Sequence, residues 1–308
     1  MSTEIYVISG FLGAGKTTLI QKMIQEVFKN ERIALIENDF GEISVDAVLL
    51  KSEAIEVKEI NSGCICCSLS GDFIKSLKAL LERFHPDKVL IEPSGVGKLS
   101  DVVKACTDPR ILPYAKVKAK ITVADVKRCR MYLDNFGEFF EDQIRNADLI
   151  FLSRTGAFPD RIMEAQKIIK GLNADSVIIS KSWDQIDMAE ILHSHNGYKR
   201  NHVHSYREGP CHCSHHHSAE EAFDTVTIRT KRIFSKEDLK ACVLNMERTA
   251  NGSVLRAKGI VKGPSGYMSL QYLPGEIQIT NCSSGGDMLC IIGQNLNQQE
   301  LYTIFNRT

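Results

Sequence analysis

No charge of one sign dominates this chain. Over 308 residues, 38 Lys plus Arg stand against 38 Asp plus Glu, so no global field draws it to nucleic acid or to an anionic membrane. It has no apolar run of about 18 residues and no signal-peptide h-region, so neither a membrane span nor secretion is indicated and a cytoplasmic protein is expected. No internal repeat is found. Ten cysteines are enough for a disulfide framework, yet several cluster too tightly for pairing, which points to thiolates or metal ligands instead. What the chain does have is 43% hydrophobic content, sufficient for a sizeable core divided between two domains.

Gly10-Phe11-Leu12-Gly13-Ala14-Gly15-Lys16-Thr17 matches the Walker A phosphate loop at each defined position. Glycines at Gly10, Gly13 and Gly15 let backbone N–H groups, including those of Ala14 and Thr18, turn towards phosphates. Lys16 reaches the β- and γ-phosphates and the Thr17 hydroxyl ligates Mg²⁺. The flanks agree: Glu4 to Ser9 reads as a buried strand and Thr18 to Phe28 as an amphipathic helix with its N-terminus facing the anion. The chain is therefore expected to bind a nucleoside triphosphate.

Apolar runs at Arg32–Ile36, Ile55–Ile60, Lys88–Ile91, Ala119–Val123, Leu149–Leu152 and Ser176–Ile179 alternate with helical stretches. That alternation predicts an α/β fold, a mostly parallel doubly wound sheet spanning residues 1–195. From His193 to Glu221 the composition turns to His, Gly, Ser, Pro and Asn without apolar period, which marks a linker, placed at 196–220. Beyond it, residues 221–308 read as a small α+β domain. Strands are expected at Ala222–Ile228, Ser253–Val261, Tyr267–Tyr272, Glu276–Ile279 and Asp287–Ile292, and helices at Ser235–Met246 and Asn297–Phe305.

Cys64-Ile65-Cys66-Cys67 puts three thiols into four residues just after a predicted strand. Such thiolates supply soft ligands to Zn²⁺ or a similar ion, and the lone Cys-x-Cys-Cys, without separated Cys/His pairs, suggests an open or transferable site. Redox-active thiols and buried structural cysteines are the rival readings. Glu37-Asn38-Asp39-Phe40-Gly41-Glu42 follows another strand, at the edge where doubly wound sheets bind ligands, and reads either as metal-facing carboxylates or as a solvated acidic loop. Ile91-Glu92-Pro93-Ser94-Gly95 ends a third strand. There Glu92 is suited to a Mg²⁺-bound or attacking water, and the Gly95 amide to sensing the γ-phosphate; an exposed strand-end Glu is the plain alternative. Cys211-His212-Cys213-Ser214-His215-His216-His217 offers imidazole and thiolate for gathering Zn²⁺, Ni²⁺ or Co²⁺, unless the histidines only decorate a loop. Cys106, Cys129, Cys242, Cys282 and Cys290 stand singly and read as small core residues.

Taken together, these motifs resemble in order and spacing the CobW-type P-loop GTPases, a metallochaperone family with relatives of the HypB and UreG type. Arg256-Ala257-Lys258-Gly259, with the strands after it and Ile292-Gly293, is similar to that family's C-terminal domain. The resemblance implies GTP hydrolysis coupled to binding and transfer of Zn²⁺, or of Co²⁺ or Ni²⁺, to a client metalloprotein. With the balanced charge, neither nucleic acid nor a membrane is expected as a partner, and a homo-oligomer is possible. By motif it assigns Lys16, Glu92 and Asp39 to catalysis, Lys16 and Thr17 to phosphate and Mg²⁺, and Glu37, Cys64, Cys66 and Cys67 to an internal metal site. His212, His215, His216 and His217 add outer metal ligands.

The family's Asn-Lys-x-Asp guanine-recognition sequence falls at Ser153-Arg154-Thr155-Gly156, so the acid is replaced by glycine. A hydrogen bond to a charged group contributes about 1.5–3 kcal/mol. Ser153 and Arg154 remain candidates for base contact, Arg154 by stacking. The alternatives are a nucleotide-binding metal buffer or sensor without coupled transfer, an NTPase of relaxed base preference, and a thiol redox switch.

Overall fold

A computed structural model describes residues 2–37, 55–59, 72–197, 222–249, 252–283 and 285–306. Asp39, Cys64, Cys66, Cys67, His212, His215, His216 and His217 lie outside the described residues.

Strands β1 (Thr3–Gly10), β2 (Ile33–Glu37), β3 (Ile55–Glu59), β4 (Lys88–Glu92), β5 (Ala115–Asp125), β6 (Leu149–Ser153) and β7 (Val177–Ile179) form one sheet. Its order is β3-β2-β4-β1-β5-β6-β7, and each described pairing is parallel. The sequence expectation of a mostly parallel sheet holds in the stricter form. Side chains alternate across a strand, so a sheet covered on both faces is written in nearly continuous apolar runs. Strand β1 sends Ile5 and Val7 into one core and Tyr6 and Ile8 into the other; β6 divides Ile150 and Leu152 from Leu149 and Phe151 in the same way. The first core is closed by α2 (Asp72–Phe84), α3 (Leu99–Cys106), α4 (Cys129–Arg145) and α5 (Ile162–Leu172). The second is closed by α1 (Lys16–Glu26) and α6 (Met188–Gly197).

Helix α6 corrects the sequence reading, because composition places His193 onward in the linker whereas the helix runs to Gly197. Met188 and Leu192, one turn apart and buried in the second core, anchor it there.

The second unit is a five-stranded antiparallel sheet of order β11-β10-β9-β12-β8. Its strands are β8 (Asp224–Arg229), β9 (Ser253–Gly263), β10 (Gly266–Leu273), β11 (Glu276–Cys282) and β12 (Met288–Gln294). Helices α7 (Lys236–Thr249) and α8 (Gln298–Asn306) bear Leu239, Val243, Met246, Leu301 and Phe305, which fill a core with one face of this sheet. Leu255, Cys290 and Ile292, on the other face, join the first core of the parallel sheet. Phe223 joins it too, its ring 5.1 Å from Phe139 and 6.4 Å from Phe11 of the phosphate loop. The two units therefore meet through core-like apolar packing. Cys106, Cys129, Cys242 and Cys290 are buried as expected, whereas Cys282, at the end of strand β11, is only half-buried.

Candidate nucleotide site

Strand β1 ends in the glycine loop and α1 begins at Lys16, the strand–turn–helix context that the motif requires. Gly10 has φ 142°, and a Cβ there would stand 2.4 Å from the backbone oxygen of Val123, so no side chain fits. Gly15 caps the helix in the left-handed region (φ 107°, ψ 24°) with no side-chain hydrogen bond, so the N–H groups of the first turn face the loop uncapped by side chain. Such a terminus attracts an anion through its N–H groups and dipole. Lys16 is only 5% exposed, its Nζ 3.9 Å from Glu92 Oε1. A buried ammonium at a helix N-terminus fits phosphate.

The Thr17 hydroxyl donates to Glu92, with Oε2 at 3.1 Å. A hydroxyl beside a carboxylate is a pair of hard oxygen donors suited to Mg²⁺. Glu37 is 5% exposed and ends β2 directly opposite Glu92 in the β2–β4 register, and the β2–β3 register sets it opposite Glu59 on its other side.

The loop opens onto a cavity of about 820 Å³. Of the residues expected from the sequence, Gly13, Ala14, Gly15, Lys16, Thr17, Thr18, Glu92, Ser153 and Arg154 line it. Gly10 and Gly95 shape the loop from behind instead: a Cβ on Gly95 would lie 2.8 Å from the Leu12 nitrogen, and the Gly95 carbonyl accepts from Gln143 Nε2. Gly156 faces Ser182, whose Oγ would be 3.5 Å from an added Cβ.

Several lining residues escaped the sequence reading. Trp183 lies over Gly15, with its indole N–H donating to the Leu152 carbonyl at 2.8 Å. Arg256, Leu273 and Glu276 come from the antiparallel unit. Lys258 of the same unit is 1% exposed. Burial lowers its amine to about 8; the Cys290 thiol and Glu37 oppose that shift and Lys16 adds to it, so the residue sits in the field of the nucleotide edge. The Arg256-Ala257-Lys258-Gly259 stretch was the available signal, but nothing local said that it faces the phosphate loop. Among the described residues no group of three or more His, Cys, Asp or Glu is arranged to hold a metal.

A parallel sheet covered on both faces, with a glycine loop between its central strand and a helix that presents a buried lysine, defines a P-loop nucleotide-binding protein. Residues 4–180 match the family model of the CobW/HypB/UreG nucleotide-binding domain, and residues 223–308 match the cobalamin synthesis protein cobW C-terminal domain. The chain belongs to the CobW/HypB/UreG family.

Among its relatives is the zinc chaperone CobW of Sinorhizobium sp, 37% identical over 177 residues that cover 48% of this chain and 50% of that protein. Another is the zinc chaperone YeiR of Escherichia coli strain K12, 35% identical over 156 residues that cover 50% of this chain and 47% of that protein. The chain thus spans about half the length of the curated relatives it matches. The crystal structure of Zn(II)-bound YjiA GTPase from E. coli is 17% identical, covers 99% of this chain and 98% of its own, and gives a TM-score of 0.49.

Proposed function

We propose that this chain is a GTP-hydrolysing metallochaperone that couples nucleotide state to binding and release of Zn²⁺ or a related ion for a client protein. One observation carries the reading: β3, β2, β4 and β1 are consecutive neighbours, and their carboxyl ends set Glu59, which precedes Cys64 in the chain, in line with Glu37, Glu92 and the phosphate loop. Neighbouring strands lie about 4.8 Å apart, so the edge from the phosphate loop to the end of β3 spans roughly 15 Å. A change of loop order at the γ-phosphate then has a short route to the metal ligands.

In this reading Lys16 and the α1 N-terminus hold the β- and γ-phosphates. Thr17 and Glu92 hold Mg²⁺, which supplies charge neutralisation for phosphoryl transfer. Asp39 acts near the γ-phosphate. Glu37 with Cys64, Cys66 and Cys67 forms the cargo site, and His212, His215, His216 and His217 of the 196–220 linker gather the ion. The parallel-sheet unit, expected at 1–195 and extended by α6 to Gly197, is the nucleotide unit, and 221–308 is the client-facing one. GTP is the nucleotide implied by family membership; the glycine at Gly156 favours a base preference weaker than that of a site with the acid.

The test is Zn²⁺ affinity by chelator competition, without nucleotide, with GTP and Mg²⁺, and with ATP and Mg²⁺. The expected result is a GTP-dependent change in affinity that disappears when Cys66 and Cys67 are replaced by Ser. Equal effects of GTP and ATP point to relaxed base preference. No effect of either nucleotide leaves a metal buffer and refutes the coupling.

A further inference from the structure

Three segments far apart in sequence converge beside the phosphate loop. The turn joining β10 and β11, Leu273-Pro274-Gly275-Glu276, reaches over from the antiparallel unit. Leu273 lies on Gly13 so closely that a Cβ on the glycine would be 2.4 Å from Leu273 Cδ1. Glu276 Oε2 takes the Arg154 guanidinium at 2.9 Å, while Oε1 takes Lys127 at 2.6 Å and Arg128 at 3.1 Å. Arg128 also donates to the Pro274 carbonyl at 3.4 Å.

Arg154 is the residue through which the turn meets the cavity. It follows β6 in the left-handed backbone region (φ 61°), and its guanidinium is held from two sides, by Asp125 at 3.0 Å and by Glu276. Asp125 is shared with Arg128, which lies 2.7 Å away. Glu276 therefore decides how the Arg154 plane is presented to the cavity that both residues line. A guanidinium clamped by two carboxylates is pre-organised, so a ligand that packs on it loses less side-chain entropy on binding.

We propose that Glu276 is a positioning residue for the nucleotide, fixing Arg154 on the base side of the cavity so that nucleotide binding and docking of the β10–β11 turn form one linked equilibrium. The proposal rests on the reading of this cavity as the nucleotide site. Linkage is reciprocal: if the docked turn strengthens nucleotide binding, nucleotide strengthens docking by the same factor. The antiparallel unit is then part of the nucleotide site as well as a face for a client.

The test is equilibrium dialysis of GTP and of inorganic tripolyphosphate against the full chain, its Glu276→Gln and Arg154→Ala variants, and the double variant. Glu276→Gln is expected to weaken GTP at least about fivefold, the lower end of ordinary coupling. Tripolyphosphate, which has no base, should bind within about twofold of wild type. In the Arg154→Ala background the Glu276 substitution should have no further effect on GTP, because it acts through that guanidinium. Hydrogen exchange on the wild-type chain gives a second readout, with GTP expected to increase amide protection across residues 272–277.

Equal weakening of GTP and tripolyphosphate, tighter GTP binding, or additive effects of the two substitutions would each overturn the proposal. Unchanged exchange in 272–277 would do the same. A wild-type chain that binds neither ligand refutes the nucleotide reading and this proposal with it; binding that ignores Glu276 refutes the proposal alone.

Discussion

Asp125 ends β5 as a buried carboxylate, 1% exposed, and its replacement by Asn is the sharpest stability test of the site. Its Oδ2 faces Arg128 at 2.7 Å and Arg154 at 3.0 Å, and its Oδ1 accepts the Lys127 backbone N–H at 2.9 Å. Asparagine keeps the volume and the Oδ1 acceptor but removes the charge. Arg128, only 4% exposed, then stays buried with Glu276 at 3.1 Å as its remaining charged partner. Breaking a buried pair by removing one partner costs about 3–5 kcal/mol, and the surviving Glu276 contact argues for the lower end, about 3 kcal/mol. Replacing both Asp125→Asn and Arg128→Met leaves no unpaired charge, so the double variant should lose well under the sum of the singles, with a coupling of at least about 1.5 kcal/mol. Urea unfolding at pH 7 followed by circular dichroism, with m-values compared across the four proteins, measures the cycle. Single losses below about 1 kcal/mol that add independently would refute the argument that this pair is an electrostatic unit.

Other expected outcomes follow from the same geometry. Gly10→Ala combines a positive φ of 142° with a Cβ 2.4 Å from a backbone oxygen, so the chain should lose at least about 3 kcal/mol in a urea titration; a change below about 1 kcal/mol would show that the strand end relaxes freely. Lys16→Ala should abolish nucleotide hydrolysis while the far-ultraviolet dichroism stays native, and retained turnover in a phosphate-release assay would remove Lys16 from the chemistry. Burial alone would raise the Glu276 carboxyl, but Lys127, Arg128 and Arg154 outweigh it and bring it down from 4.5 to about 2. Its contribution is thus complete above about pH 4.5 and lost as pH falls towards 2. The gap in melting temperature between wild type and Glu276→Gln should be flat above pH 5 and close below 4.5, and a gap independent of pH would contradict the assignment.

The sequence carried the parallel sheet because burial on both faces removes the polar half of the strand pattern, leaving runs such as Val89-Leu90-Ile91 that read directly. It carried the phosphate loop because backbone geometry there demands glycine at fixed spacing. The antiparallel strands were legible as short apolar-rich runs such as Ser253–Val261 and Asp287–Ile292. What stayed hidden is the wall of the cavity supplied by the second unit. Arg154 and Glu276 are separated by much of the chain and share no local pattern, so only packing reveals that they meet. Gly95 adds what the sequence does not show: a glycine after a strand-end carboxylate is expected to sense phosphate through its amide, and packing against Leu12 leaves no room there for a side chain. The end of the nucleotide unit was blurred because His193 and its neighbours look like linker, while Met188 and Leu192 hold that segment in a helix.

The position of β1 in the sheet has a consequence for how the protein is made. The strand that carries the phosphate loop pairs with β4, starting at Lys88, and with β5, starting at Ala115, and with neither of the strands that immediately follow it in the chain. A ribosome adds about 5–20 residues per second, so roughly 6 to 23 s separate synthesis of Gly10 from that of Asp125. Until Glu92 has been made the strand has neither of its hydrogen-bonding neighbours, and until Asp125 it has one. Parallel pairing over such sequence distances is intrinsically slow, which leaves β1 in need of shelter while its partners are made. The phosphate loop thus acquires its rigid frame only after both partner strands have been made.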